Sequence, residues 1–260
     1  MSGTVTLNVD AQIATIVLDR PDKHNAITPA MAAQLAALCR EVDARDDVRV
    51  VLIRGAGTRA FSAGSDLNAL AENHGEGRGV WEFRNRIEYA AVVRDIRKPV
   101  VALLYGWVLG GGLEIALAAD VRIAARSAKL GAPEVARGWV GGGGASQILP
   151  RLLGAGRAMH LLLSGEHVGA EQALAMGLVE EVADDDQVDA CAFAYAKKIA
   201  AHSPVATQAV KAAVRAALEM PFSAGIRYEN ELHVVCMQAG DSAEGIAAFQ
   251  QGRSADFKGQ

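Results

Sequence analysis

Four apolar runs of strand length constrain this chain most: Gln12 to Asp19, Val48 to Arg54, Pro99 to Val108 and Val121 to Ala125. They alternate with segments of helical pattern. Thr28-Pro29 opens the first helix, with Thr as N-cap and Pro in the first turn. Met31, Leu35, Leu38 and Val42 then recur at helical spacing. Gly79 to Arg97 reads as a second helix, and Gly110 to Ala119 as a third that follows a glycine turn. Strand followed by helix, repeated, argues for an α/β core with parallel pairing. Thr4 to Asp10 adds a first strand, joined to the next near Asp10-Ala11.

After about Gly141 the pattern changes. Ala145 to Leu153, Arg157 to Ser164, Ala170 to Met176, Gln187 to Ala201, Pro204 to Glu219 and Phe222 to Gln238 all read as helices, and only Leu178 to Val182 reads as a strand. The expected division is a core over 1–200 and a helical region over 201–260. The polar stretch Asn73 to Gly79 reads as a surface loop. No fixed-period repeat is visible.

The chain has 260 residues, of which 51% are hydrophobic, enough to bury a large core. A net charge of -4 without a dense basic patch argues against a nucleic-acid partner. The start, Met1-Ser2-Gly3-Thr4-Val5, has neither a signal nor a transit pattern. The apolar run Pro99 to Val108 is too short to span a bilayer. A soluble cytoplasmic protein without a membrane partner is the expectation. Cys39, Cys191 and Cys236 lack paired spacing, and the six histidines show no metal-ligand spacing, so no metal is expected.

Two glutamates stand in glycine-rich settings. One lies in Gly110-Gly111-Gly112-Leu113-Glu114, the other in Gly131-Ala132-Pro133-Glu134, 20 residues on (114 to 134). Glycine lets the backbone approach a ligand closely. Paired carboxylates can divide acid and base roles when their surroundings separate their pKa values. Structurally, the glycine run can be a tight turn before a helix, Glu114 a complement to the helix dipole, and Glu134 a plain loop acid. Functionally, the same turn presents backbone N–H groups to an anion. Two other signals fail on context. Gly55-Ala56-Gly57-Thr58-Arg59-Ala60 has a dinucleotide-type outline, but Phe61 to Asp66 continues as loop instead of opening a helix. Gly64-Ser65-Asp66-Leu67 lacks the second glycine of a nucleophile elbow.

Seven segments, taken in order, resemble the crotonase superfamily, the enoyl-CoA hydratase/isomerase family. They are Leu18 to Ala26, Phe61 to Leu67, Lys98 to Gly106 with Gly110 to Glu114, Pro133-Glu134, Leu149-Pro150-Arg151, Ala173 to Val179, and Glu244 to Phe249. The resemblance implies a spiral of ββα repeats with a C-terminal helical trimerisation region, assembled as a homotrimer or a dimer of trimers. It implies an acyl-CoA thioester substrate, with coenzyme A part of that substrate and no separate cofactor. The backbone N–H groups of Ser65 and Gly111 would form the oxyanion hole, with Glu114 and Glu134 as the catalytic pair. Lys23, His24, Asn25, Ala26, Ala63, Gly64, Asp66, Leu67, Gly110, Pro133, Trp139 and Gly142 would line the substrate path. Phe257 and Lys258 would reach a neighbouring subunit's coenzyme A. Carrying both glutamates favours hydratase over isomerase chemistry. The chain departs from the family around Gly141 and Gly143, where proline and alanine are common, and at Arg137 and Trp139.

Overall fold

The computed structural model describes residues 3–72 and 84–260. Two β-sheets organise it. The first strand of the chain, β1 (Thr4–Asp10), pairs antiparallel with β2 (Ile13–Asp19). Ala11 and Gln12 between them both take positive φ, 47° and 67°, the backbone of a two-residue hairpin turn. β2 then continues in parallel to β3 (Val50–Gly55), β5 (Val100–Leu104), β7 (Val121–Ala125) and β10 (Glu181–Ala183), giving a six-stranded sheet.

Both faces of this sheet are covered, which explains the unbroken apolar runs. Along β3, Val51 and Ile53 enter the main core, whereas Val50 and Leu52 face the opposite way. Along β5, Val100, Ala102 and Leu104 separate in the same manner from Val101 and Leu103. Helix α1 (Pro29–Ala44) packs Met31, Leu35 and Val42 into the main core, and Thr28 caps it by accepting the Met31 N–H at 3.2 Å. Val188, Ala192, Ala196 and Ala200 of the helix Val188–Ala200 cover the other face.

The second sheet has four short strands, in the order β4 (Ala60–Ser62), β6 (Trp107–Leu109), β8 (Lys129–Gly131) and β9 (His167–Gly169). The chain visits the large sheet, then the small one, then forms a helix: β3, β4 and α2 (Leu67–Glu72); β5, β6 and α4 (Gly111–Ala118); β7, β8 and a 3-10 turn, Pro133–Arg137, before α5 (Ala145–Leu153). Gly106 makes one crossing between sheets possible. Its φ is +52°, and a Cβ there would fall 2.1 Å from the Arg59 carbonyl oxygen.

Several expectations need correction. Pro99 to Val108 is two strands in two sheets, because Gly106 turns the chain between them. Phe61 and Ser62 belong to β4 and are not loop. Beyond Gly141 the strand is Glu181–Ala183, shifted from Leu178 to Val182, and His167–Gly169 is a further strand. Of the expected helix Gly79 to Arg97, the described residues hold helical Arg84 and, after a break, the segment α3 (Tyr89–Arg94). Glu88 caps it by accepting the Ala90 N–H at 3.3 Å. Pro99 disfavours helical backbone at Lys98, and the helix stops short of it. The stretch Asn73 to Gly79 and the first residues of that expected helix lie outside the described residues.

The remaining helices are α6 (Ala155–Ser164), α7 (Ala170–Met176), α8 (Val188–Ala200), α9 (Pro204–Ala217), α10 (Phe222–Gln238) and α11 (Gly240–Gln251). The last has no counterpart in the sequence reading. Helix α9 is pinned to the core by charge: Lys211 Nζ contacts Asp120 Oδ2 at 2.6 Å and donates to the Lys98 carbonyl at 2.7 Å. Arg215 Nη2 reaches Asp120 Oδ1 at 2.9 Å. Among the described residues, no helix is long and apolar enough to cross a membrane.

Candidate active site

The small sheet sets the site. β4, β6 and β8 run parallel and side by side, about 4.8 Å apart as neighbouring strands are. Each is followed at once by a segment singled out from the sequence: Gly64-Ser65 after β4, Gly110-Gly111 after β6, Pro133-Glu134 after β8. Three pieces distant in sequence therefore emerge together along one edge.

The first two pieces touch through glycines. A Cβ on Gly64 would lie 2.7 Å from the Gly111 nitrogen, and one on Gly112 would lie 2.1 Å from the Ser62 carbonyl oxygen. Ser65 pairs with Ile27 in an isolated parallel bridge. Gly111 is the first residue of α4. Among the described residues, no acceptor takes the backbone N–H of Ser65 or of Gly111. An N–H pair with this freedom, one of them at a helix N-terminus, suits an oxygen on which negative charge develops.

Glu114 lies in the first turn of α4 and is 4% exposed. Its Oε1 accepts the Gly143 N–H at 2.7 Å and the Ala145 N–H at 3.3 Å. The run Gly141 to Gly144 thus folds over this carboxylate as well as leading into α5. Glu134 is half-buried, and its Oε2 has no hydrogen-bond partner among the described residues. Burial raises its pKa above the usual carboxylate value, and the neighbouring Glu114 pushes the same way, against Arg137. The two side chains converge at Gly141: the position of a Cβ there lies 2.8 Å from Glu114 Oε1 and 3.5 Å from Glu134 Oε1. Glycine leaves that point open.

A cavity of about 400 Å³ adjoins these groups. Of the residues anticipated from sequence, Lys23, Ala26, Ala63, Ser65, Asp66, Leu67, Gly110, Gly111, Pro133, Glu134 and Trp139 line it. Arg137 lines it as well, together with Asn68, Leu70 and Leu109. Glu114 lies behind this lining. The Asp66 carboxylate is engaged by Arg20 and by the N–H groups of Asn68 and Ala69, so it anchors the loop and the start of α2.

The others stand apart from the lining. Asn25 is fully buried; its amide donates to the Ala56 and Ala60 carbonyls at 3.0 and 2.7 Å and accepts the Arg20 N–H at 2.9 Å. It braces the early loop. His24 has φ 53°, with its Nε2 3.1 Å from Arg59 Nη2. Gly142 faces Arg86, whose Nη2 would be 2.6 Å from a Cβ there. The C-terminal segment is tied to Asp241 through the Lys258 N–H at 2.7 Å, while Lys258 Nζ meets Asp256 Oδ2 at 2.6 Å. Phe257 packs its ring near Gly245.

One residue at the site carries no sequence signal. The Tyr89 hydroxyl is hydrogen-bonded to Ser65 Oγ at 2.8 Å and lies against Gly111, where a Cβ would fall 1.8 Å from it. Among the described residues, no cluster of three or more His, Cys, Asp or Glu could hold a metal ion.

Two convergent carboxylates thus stand beside a pair of backbone N–H groups that have no acceptor among the described residues. The family profile described as Enoyl-CoA hydratase/isomerase matches residues 8–260, and the chain belongs to that family. It is 36% identical to the (E)-benzylidenesuccinyl-CoA hydratase of Thauera aromatica, over 98% of this chain and 99% of that one. It is 36% identical to the 2,3-dehydroadipyl-CoA hydratase of Escherichia coli, over 96% of each. The crystal structure of the enoyl-CoA hydratase from Bacillus anthracis superposes with a TM-score of 0.94 at 32% identity, covering 98% of this chain and 99% of that one. The fold is therefore the α/β crotonase fold with a helical C-terminal region, and an acyl-CoA thioester is the substrate type that the family implies.

Proposed function

We propose that this protein is an enoyl-CoA hydratase, adding water across the Cα=Cβ bond of a trans-2-enoyl-CoA to give a 3-hydroxyacyl-CoA. The observation that carries the reading is the meeting of both carboxylates at the open point beside Gly141, next to the Ser65 and Gly111 N–H groups. Glu114 takes a proton from the water, and its oxygen bonds to Cβ. The π electrons move onto the thioester oxygen, which the two N–H groups stabilise; one such donor is worth about 2.7–4 kcal/mol. As the carbonyl re-forms, Glu134 gives its proton to Cα. One water has been added, and the proton gained by Glu114 is returned to Glu134 through solvent. The raised pKa of Glu134 suits a proton donor.

Lys23 and the Ala63 to Leu67 loop hold the coenzyme A part in this reading, with Trp139 beside the acyl group. The assembly is a homotrimer or a dimer of trimers. Exposed apolar side chains on and near the C-terminal helices, including Val214, Leu218, Phe222 at 85% and Phe249 at 89% exposure, support burial between copies. Sedimentation velocity checks it; a monomer at micromolar concentration would refute it. The reaction is tested by the loss of enoyl absorbance on adding crotonyl-CoA and longer or more polar enoyl-CoA thioesters. Absence of turnover across that panel, with thioester still bound, would point to a binding protein on the same fold.

A further inference from the structure

The structure assigns Tyr89 as a positioning residue that locks the oxyanion hole, its hydroxyl joining the Ser65 loop to the start of the Gly111 helix. This rests on the proposed thioester site. The two N–H groups come from separate ββα units. Past the β4–β6 pairing, their segments touch through close backbone contacts at Gly64 and Gly112, and among the described residues no backbone hydrogen bond joins Ser65 to Gly111. Tyr89 belongs to a third segment, the first turn of α3. Its hydroxyl bonds to Ser65 Oγ at 2.8 Å, and its ring end covers the Gly111 Cα.

Three features make the contact suited to holding geometry. Tyr89 packs its ring against the main core, so the hydroxyl is delivered by a rigid group. Glu88 fixes the backbone by capping the helix that carries it. Burial, aided by Glu114 and Glu88, pushes the phenol up to about 12, so it keeps its proton near neutrality. Small displacements of oxyanion donors are costly, because stabilisation depends on dipoles aimed in advance. The Ser65 hydroxyl then has a role beside its backbone N–H: it is the handle by which Tyr89 holds the loop.

The test uses Tyr89→Phe, Ser65→Ala and the double variant in the full-length protein. Tyr89→Phe keeps the ring and the packing, so folding is preserved. Each single variant should lower kcat for crotonyl-CoA by about two- to twelve-fold, the range for one hydrogen bond, with KM little changed. The double variant should lose no more than either single one, because both remove the same contact. Infrared difference spectra of bound butyryl-CoA, isotope-labelled at the carbonyl, give a readout that needs no turnover. The wild type should shift the carbonyl stretch to lower frequency, and each variant should shift it less. Full kcat with an unaltered carbonyl shift in Tyr89→Phe, or additive losses in the double variant, would overturn the assignment while leaving the hydratase reading intact. A wild type that shifts the carbonyl but does not hydrate, with the shift weakened in Tyr89→Phe, would overturn the reaction and support Tyr89. A wild type that does neither would overturn both.

Discussion

Oε1 of Glu114 accepts the backbone N–H of Gly143 at 2.7 Å. The catalytic candidate and the loop that departs from the family pattern are thus one unit. Glutamine at 114 keeps an oxygen able to accept that N–H, so Glu114→Gln should leave the glycine run in place and remove only proton transfer. Hydration should fall by about 10²–10⁴-fold, as it should for Glu134→Gln, with thioester binding by calorimetry nearly unchanged. Near-normal hydration in Glu114→Gln with loss only in Glu134→Gln would indicate isomerase chemistry instead.

Gly141 offers a steric test of the same centre. A side chain there enters the point that both carboxylates approach, and the nearest atoms are side-chain ends able to yield. Gly141→Val should abolish most turnover by taking the space of the attacking water. Its thermal midpoint should stay close to wild type. Retained kcat would place the water elsewhere.

The pH dependence has a definite sign. Glu134 must be protonated to start hydration, and its pKa is raised, chiefly by burial and next by Glu114. Hydration kcat should therefore be full at lower pH and fall as pH climbs through that raised pKa. Dehydration of the 3-hydroxyacyl-CoA starts from the same singly protonated pair, with the proton on Glu114, so its kcat/KM should fall over the same interval. Such a limb belongs to the coupled pair. Replacing Glu114 by Gln removes a neighbouring charge, so Glu134 should titrate lower, as carboxyl infrared bands would show. An upward movement would contradict the coupling.

Trp139 lines the cavity and is 40% exposed, so it faces the site and is not a core anchor. Trp139→Ala should raise the ratio of kcat/KM for decenoyl-CoA over crotonyl-CoA several-fold. The scale is set by about 1–3 kcal/mol per methylene in an apolar pocket. An unmoved ratio in a folded variant would transfer chain-length control to other lining residues such as Leu70.

Asp120 is the anchor of α9. It contacts Lys211 and Arg215, and its Oδ2 accepts the Val100 N–H at 2.7 Å. Asp120→Ala leaves the Lys211 ammonium buried without its carboxylate, a change that costs about 3–5 kcal/mol when one partner of a buried pair is removed. Urea unfolding should register it as an earlier midpoint; an unmoved midpoint would show that α9 is held by packing alone.

Much of this was legible in the sequence where local chemistry decides the structure. Thr28-Pro29 announces α1, and the glycine turn before Leu113 announces α4, because caps and tight turns are short-range devices. β4, β8 and β9 went unread for the opposite reason: three residues carry no periodicity, and these strands exist only by pairing within the small sheet, β4 and β8 on either side of β6 and β9 on β8. The small sheet that aligns Ser65, Gly111 and Glu134 was therefore invisible, although Glu134 and the Gly110 to Gly112 turn stood out by their glycine-rich settings and Ser65 by the family resemblance. Asn25 was read as a binding residue, yet its buried amide braces the early loop. Tyr89 gave no signal, since its contact with Ser65 spans 24 positions and depends on the completed fold.

The edge formed by β4, β6 and β8 works like a row of sockets at fixed pitch. Each strand determines where its successor residues stand, and none determines what they are. The acid after β8 can be exchanged without altering the spacing of the strands beneath, whereas Gly111 after β6 has no room for a side chain against Tyr89. In the hydratase reading, a chain built this way would trade one reaction on a thioester for another by editing a few residues past a single strand, while the N–H pair kept its hold on the carbonyl.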